Sequence, residues 1–309
     1  MMKKNTLKNI AGLTLIEILI GVIISSIMMA AMYTTYSVVN NSYSQVIDRA
    51  KISRSGRDIV EMIMRDVRMA GFKYILGTNT FTIGGNPVQY PTRSYLEFIG
   101  INTSLSDSHD PIIIITNQLG YTRTAAGAEA PPTVAKHDSK DLCCDKIHIV
   151  YDDFNQNDVT QPYKRYKITY FALPIDEGGD QRYAAYKTVE SWVQVLGDET
   201  GEWVNDCTEC YVGQKIRDHL VDMEFIAFNE KGIPIIPPPR PDADSRNNLY
   251  NIRAVDVRLT FRSKKEFYKF VNTRFVKGLS GRSREYTDDK YLRDSVVVTI
   301  HTRNIGGGI

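Results

Sequence analysis

The chain of 309 residues carries little unbalanced charge: 38 Lys and Arg stand against 36 Asp and Glu, a formal net charge of +2. That balance speaks against a nucleic-acid binder, whose affinity rests on neutralising phosphates. No cysteine precedes Cys143, so a lipoprotein signal near the start is excluded. No proline appears before Pro87, and between Met32 and Gly77 the only glycines are Gly56 and Gly71. A long helix therefore meets few breakers in that region. The five histidines, His109, His137, His148, His219 and His301, form no i,i+4 pair and no H-E-x-x-H. A Walker glycine loop, a G-x-S-x-G elbow and a dinucleotide fingerprint are also missing. Nothing in the sequence supports an enzyme, and no cofactor is expected.

There is one long apolar run. LTLIEILIGVIISSIMMAAM, from Leu13 to Met32, is apolar apart from Thr14, Glu17, Ser25 and Ser26. Twenty helical residues rise about 30 Å, enough to cross the hydrocarbon core of a bilayer. The twelve residues before it, MMKKNTLKNIAG, contain three lysines and no acid. The positive-inside rule keeps such a start cytoplasmic and sends the chain after Met32 across the membrane. An ordinary cleaved signal needs a shorter apolar core and a better small-x-small site than Met29-Ala30-Ala31. A plain anchor fits the length but leaves Glu17 unexplained, because an intramembrane carboxylate costs roughly 2.5–3.5 kcal/mol on insertion scales.

Gly12-Leu13-Thr14-Leu15-Ile16-Glu17 behind a basic leader resembles the class III signal of type IV pilins and pseudopilins. The resemblance implies that prepilin peptidase cuts between Gly12 and Leu13 and that Leu13 is then N-methylated. Leu13 replaces the phenylalanine usual in the family, and Glu17 falls at its signature glutamate. After such a cut the new α-amine of Leu13 is a cation near Glu17. Pairing between subunits would neutralise both in a low-dielectric core and set the axial register.

Beyond the apolar run, Val39, Val46, Ala50, Val60, Ile63, Met64 and Val67 recur mainly at three- and four-residue steps. Arg49, Lys51, Arg54, Arg57, Asp58, Glu61, Arg65 and Arg68 occupy the other faces. This predicts an amphipathic helix continuous with the apolar run and stopped near Gly71. Its closing stretch, Arg68-Met69-Ala70-Gly71-Phe72, resembles the PilW family of minor type IV pilins.

From residue 73 the periodicity becomes two. Ile112–Ile115 predicts a buried strand. Alternating segments follow around Ile147–Tyr151, Arg165–Tyr170, Val221–Phe225, Val255–Arg262 and Val296–His301. That pattern fits an antiparallel sheet with one face on a helix. The fold class expected is α+β, pilin-like: a long N-terminal helix on a mainly antiparallel sheet. Residues 1–12 would be a cleaved leader, 13–72 the helix (13–32 in the membrane) and 73–309 a β-rich head. Gly77 to Tyr95, Gly120 to Leu142 and Pro234 to Asn248 are expected to be loops.

Cys143 and Cys144 are adjacent, and Cys207 and Cys210 form a C-x-x-C. Adjacent cysteines have the wrong spacing for half a zinc ribbon, and an exported head favours disulfides. Three pairings are open. Cross-pairing of the two groups is favoured, because it staples distant loops. Asp153-Phe154-Asn155-Gln156-Asn157 begins like an EF-hand loop, but Asp158 and Lys164 stand where glycine and glutamate are needed. A hairpin turn is the simpler account, and no metal site is assigned. The 18 tyrosines could suggest stacking on sugars or single strands, but a tyrosine on an alternating strand, such as Tyr166 or Tyr170, suits sheet packing.

The resemblance implies a minor type IV pilin that helps to initiate pilus assembly and sits near the fibre tip. Prepilin peptidase, the major pilin, other minor pilins, a large tip adhesin and an inner-membrane assembly platform are its implied partners. The precursor would lie in the inner membrane with its head in the periplasm, and the assembled form on the surface. The rivals are the J pseudopilin of a type II secretion system and an adhesin or DNA-binding head on a pilin anchor.

Overall fold

A computed structural model describes residues 14–72, 75–83, 86–94, 110–117, 143–154, 163–177, 180–194, 201–205, 211–239, 246–268, 270–279 and 281–305. The architecture is α+β, as expected. Helix α1 (Leu15–Met69) is followed by twelve strands among the described residues, with one short helix, α2 (Arg246–Leu249), between β8 and β9. The chain divides into two compact units at Ala50 and Lys51.

In the first unit α1 is bare. Its large apolar side chains from Leu15 to Val46 are exposed, Val39 and Val46 included. Those two positions of the expected stripe therefore bury nothing within the chain.

In the second unit α1 buries Ile52, Gly56, Ile59, Val60, Ile63, Asp66 and Val67, the three- and four-residue steps of one helix face. The helix ends at Met69, and Gly71 follows with φ of 74°. A left-handed residue just past the last turn is the usual way to stop a helix, and glycine adopts it without a Cβ penalty. Space demands glycine there too, since a Cβ would come 3.2 Å from the Pro111 Cβ and 3.0 Å from Ile305 Cγ1.

The main sheet has β3 (Ile112–Ile115), β4 (Lys146–Phe154), β5 (Tyr163–Glu177), β6 (Asp180–Gln194), β8 (Tyr211–Phe228), β9 (Ala254–Arg262) and β12 (Arg293–His301). Their order is β12-β9-β8-β6-β5-β4-β3, and β7 (Gly201–Val204) also pairs with β6; every pairing is antiparallel. All six alternating or buried segments expected from sequence are strands. One expectation fails: most of the stretch from Gly77 to Tyr95 is not loop but a hairpin of β1 (Ile75–Ile83) and β2 (Asn86–Ser94). Its Gly, Asn, Thr and Pro content lacks the apolar alternation that marks a half-buried strand, and the ladder pairs only the two strands with each other. The stretch from Gly120 to Leu142 lies outside the described residues, as do residues 155–162, where a hairpin turn is expected.

One face of the sheet packs on α1. Ile147, Ile149, Tyr166, Ile168, Tyr170, Met223, Phe225, Val257, Leu259 and Phe261 join Ile52, Ile59, Val60, Ile63 and Val67 in a single core. The opposite face carries the polar half of each alternation, yet over β8 and β9 it is not solvated. Asp222, Glu224 and Thr260 are wholly buried. A second hairpin, β10 (Asn272–Lys277) with β11 (Ser283–Asp289), reaches this face through the loop joining its strands. Leu279 N–H donates to Glu224 at 2.5 Å, and the Arg282 guanidinium forks onto Asp145 at 3.1 and 3.0 Å.

Candidate functional site

At the N-terminal end of α1, Thr14 and Glu17 form a closed pair. Glu17 N–H donates to Thr14 Oγ1 at 3.4 Å, and the Glu17 carboxylate accepts from Thr14 N–H and Thr14 Oγ1, both at 2.9 Å. This is a capping box, T-x-x-E, in which two otherwise orphaned backbone donors are satisfied reciprocally. The carboxylate that seemed isolated in the apolar run therefore has a partner in its own chain. Thr14 is the residue that sequence reasoning missed, although T-x-x-E ahead of an apolar run is itself a legible signal.

Three hydroxyls farther along the helix are satisfied by its own carbonyls. Ser26 donates to the Val22 carbonyl at 2.7 Å, and Thr34 and Thr35 donate to the Ala31 carbonyl at 2.8 and 2.9 Å. The surrounding surface is apolar: Leu15, Ile16, Ile18, Leu19 and Ile20 are all at least half exposed. This helix is long and apolar enough to cross a membrane. A lipid-facing or helix-facing surface with one carboxylate at its start is what the segment presents. Gly12 and Leu13 lie outside the described residues.

The C-terminal end of α1 is locked onto the sheet. Asp66, buried on the helix, accepts from Tyr170 Oη on β5 at 2.6 Å and from Lys187 Nζ on β6 at 2.8 Å. The Lys187 ammonium also lies 5.2 Å from the centre of the Tyr170 ring. Arg65, beside it, is exposed, as a solvated helix face predicts, but Asp66 is not. Its place one turn from Ile63 and two turns from Ile59 put a carboxylate at core spacing. That was the signal for a buried partner. Beyond the helix, Gly71 N–H donates to the Val150 carbonyl at 2.9 Å, and Asn304 Nδ2 donates to the Arg68 carbonyl at 3.2 Å.

Cys143 and Cys144 are buried where the chain enters β4, with their sulfurs side by side. Cys143 N–H is held by the Asp222 carboxylate at 2.9 Å, which anchors the pair under β8. Cys207 and Cys210 lie outside the described residues. His109 and His137 lie outside the described residues, and among the described residues no three His, Cys, Asp or Glu side chains are grouped as for a metal ion.

One comparison with known proteins bears on this end of the chain. The prokaryotic N-terminal methylation motif matches residues 7–33. The match covers the basic leader from Leu7, the Gly12-Leu13 step, the capping box and the apolar helix, and it supports a pilin-like protein. No curated protein and no solved structure matches the chain.

Proposed function

We propose that this chain is a structural subunit of a type IV pilus, a minor pilin of the PilW type that primes assembly and sits near the fibre tip. The observation that carries the proposal is the methylation motif over residues 7–33 on a helix whose last third packs under an antiparallel sheet. Prepilin peptidase cuts after Gly12, and Leu13 becomes the methylated first residue. Residues 13–72 form the assembly helix and residues 73–309 the head. The protein acts by association, not by catalysis. Its partners are the peptidase, the major and other minor pilins, a tip adhesin and the inner-membrane platform.

In this account Glu17 changes partners. In the isolated chain its carboxylate serves Thr14. In the fibre it meets the α-amine of Leu13 on a neighbouring subunit, a charge pair worth more in an apolar bundle than in water. The head is exported, so its cysteines mature in an oxidising compartment and stay paired.

The test is mass spectrometry of sheared, purified surface fibres, searching for a peptide that begins with N-methylated Leu13. Its presence would show cleavage, methylation and incorporation together. A chain processed at Leu13 but absent from fibres would be a secretion pseudopilin of the J type or an initiator retained at the base. A chain in the membrane fraction with residues 1–12 still attached would be a plain anchored domain.

A further inference from the structure

The second hairpin leaves a cavity of about 530 Å³ against the polar face of the sheet. Its floor is Arg258 and Thr260 of β9 with Arg293 and Ser295 of β12; its roof is Arg274 to Lys277 of β10. The register puts Thr260 opposite Ser295, so the two hydroxyls meet at 2.8 Å, and Arg258 Nη2 donates to Ser295 Oγ at 3.2 Å. Four cations, Arg258, Arg274, Lys277 and Arg293, thus line one small space, and none of the described residues lining it is a carboxylate.

Among the described residues, two carboxylates stand within ion-pair distance of these arginines. Asp289 is shared: it takes a hydrogen bond from Arg293 and lies 3.7 Å from Arg274 Nε, too far for one. Asp222 stands 3.8 Å from Arg258 Nη1 and also accepts from Cys143 N–H. Three guanidinium nitrogens, Arg258 Nη1, Arg274 Nε and Arg293 Nε, are consequently buried without a hydrogen-bond acceptor. The side chains of Arg258 and Arg293 are 10% and 8% exposed. Buried donors of this kind cost free energy unless something accepts from them. Two of the side chains are held in place by aromatic faces: Arg274 lies 3.6 Å from the Tyr268 ring centre and Arg293 3.7 Å from that of Tyr286. A set of fixed, partly unanswered guanidinium forks with two hydroxyls between them is a receptor for a multivalent oxyanion.

We propose that this cavity binds a phosphate or sulfate group, free or borne on a sugar-sized molecule. The group's oxygens accept from the guanidinium groups of Arg258, Arg274 and Arg293 that line the cavity, Lys277 supplies the fourth positive charge, and Ser295, whose oxygen accepts from Thr260, donates its own hydroxyl from the floor. The volume exceeds what a bare phosphate fills, which leaves room for a saccharide carrying it. The inference does not depend on the pilus assignment.

The test is calorimetric titration of the full chain in detergent, at constant ionic strength held with chloride, using inorganic phosphate and glucose 6-phosphate in separate arms. Saturable binding is expected. It should weaken at least tenfold in Arg274→Gln/Lys277→Gln, which alters only the partly exposed roof. It should be unchanged in Lys231→Gln, outside the cavity. Tighter binding of glucose 6-phosphate would assign a phosphorylated saccharide, and comparable or tighter binding of inorganic phosphate would assign the free anion. Failure of both ligands to saturate, or undiminished binding by the roof variant, would overturn the proposal. Arg258→Gln, with folding checked by circular dichroism, gives a second measurement from the floor, where an equal loss is expected.

Discussion

Glu17 has two claims on one carboxylate, and they separate by substitution. A capping box accepts Gln as well as Glu at its third position, because the cap needs an acceptor and not a charge. Pairing with the α-amine of a neighbouring Leu13 needs the charge. Glu17→Gln therefore keeps the Thr14 contacts, and such a chain should be cleaved normally but should fail to enter fibres. Glu17→Ala loses both, adding a cap loss of about 0.5–2 kcal/mol at the helix start. The measurement is immunoblotting of sheared fibres against the processed membrane pool. Wild-type incorporation of Glu17→Gln would mean that the cap alone suffices and that charge pairing plays no part. The position of Glu17 was legible in the sequence, being the only charge in an apolar run. Its local partner is less legible, because a T-x-x-E cap is seldom sought inside an apolar run whose threonine carries no charge of its own.

At the scale of elements, α1 was largely legible. Its start, its apolar run and its end before Gly71 follow from composition and one glycine. Less legible was the span of buried packing, which covers Ile52, Gly56 and Ile59 but leaves Val39 and Val46 bare. Periodicity marks a face; it does not say whether a partner covers it. The strands with clean alternation, such as β9, were also visible. Hairpins β1–β2 and β10–β11 were not, because polar, proline-bearing or charged strands carry no apolar period. The Asp66–Tyr170–Lys187 cluster joins α1 to two strands more than a hundred residues later, which no local pattern encodes. Removing Asp66 leaves Lys187 as a buried cation without its counter-charge, a loss of about 3–5 kcal/mol. Asp66→Ala should lower the denaturant midpoint of the full chain accordingly. Adding Lys187→Met should recover part of the loss, because an apolar side chain needs no partner there. If the double variant is no more stable than Asp66→Ala, the helix is held by its apolar stripe and the ion pair is incidental.

For the molecule as a whole, a polar sheet face turned inward sets an unusual response to pH. Alternation marked Asp222, Glu224 and Thr260 as polar but could not reveal that the loop of a later hairpin closes over them. Asp145 belongs to this layer. It accepts from Asn117 N–H, Phe225 N–H and both terminal nitrogens of Arg282. Burial pushes its carboxyl up to about 6, against the opposing pull of Arg282 and the two amides. Asp222 is raised by the same cause. A carboxyl raised in the folded state holds its proton more tightly there than in the unfolded chain. Its stabilising contribution is therefore complete below the ordinary value near 3.8 and is lost as pH rises through about 6. His219 acts in the other sense. Burial, with Arg182 and Arg262 nearby, lowers its pKa, so its contribution is present above 6.5 and lost as pH falls through the lowered value. Comparing wild type with Asp145→Asn cancels His219, which both chains share. Unfolding free energies measured between pH 4.5 and 7.5 should show a wild-type advantage that shrinks with rising pH by on the order of 2–3 kcal/mol. An advantage that grows with pH would mean that the Arg282 fork outweighs burial and that Asp145 is held ionised well into acid. The buried polar layer would then resist acid where the burial argument has it gaining stability.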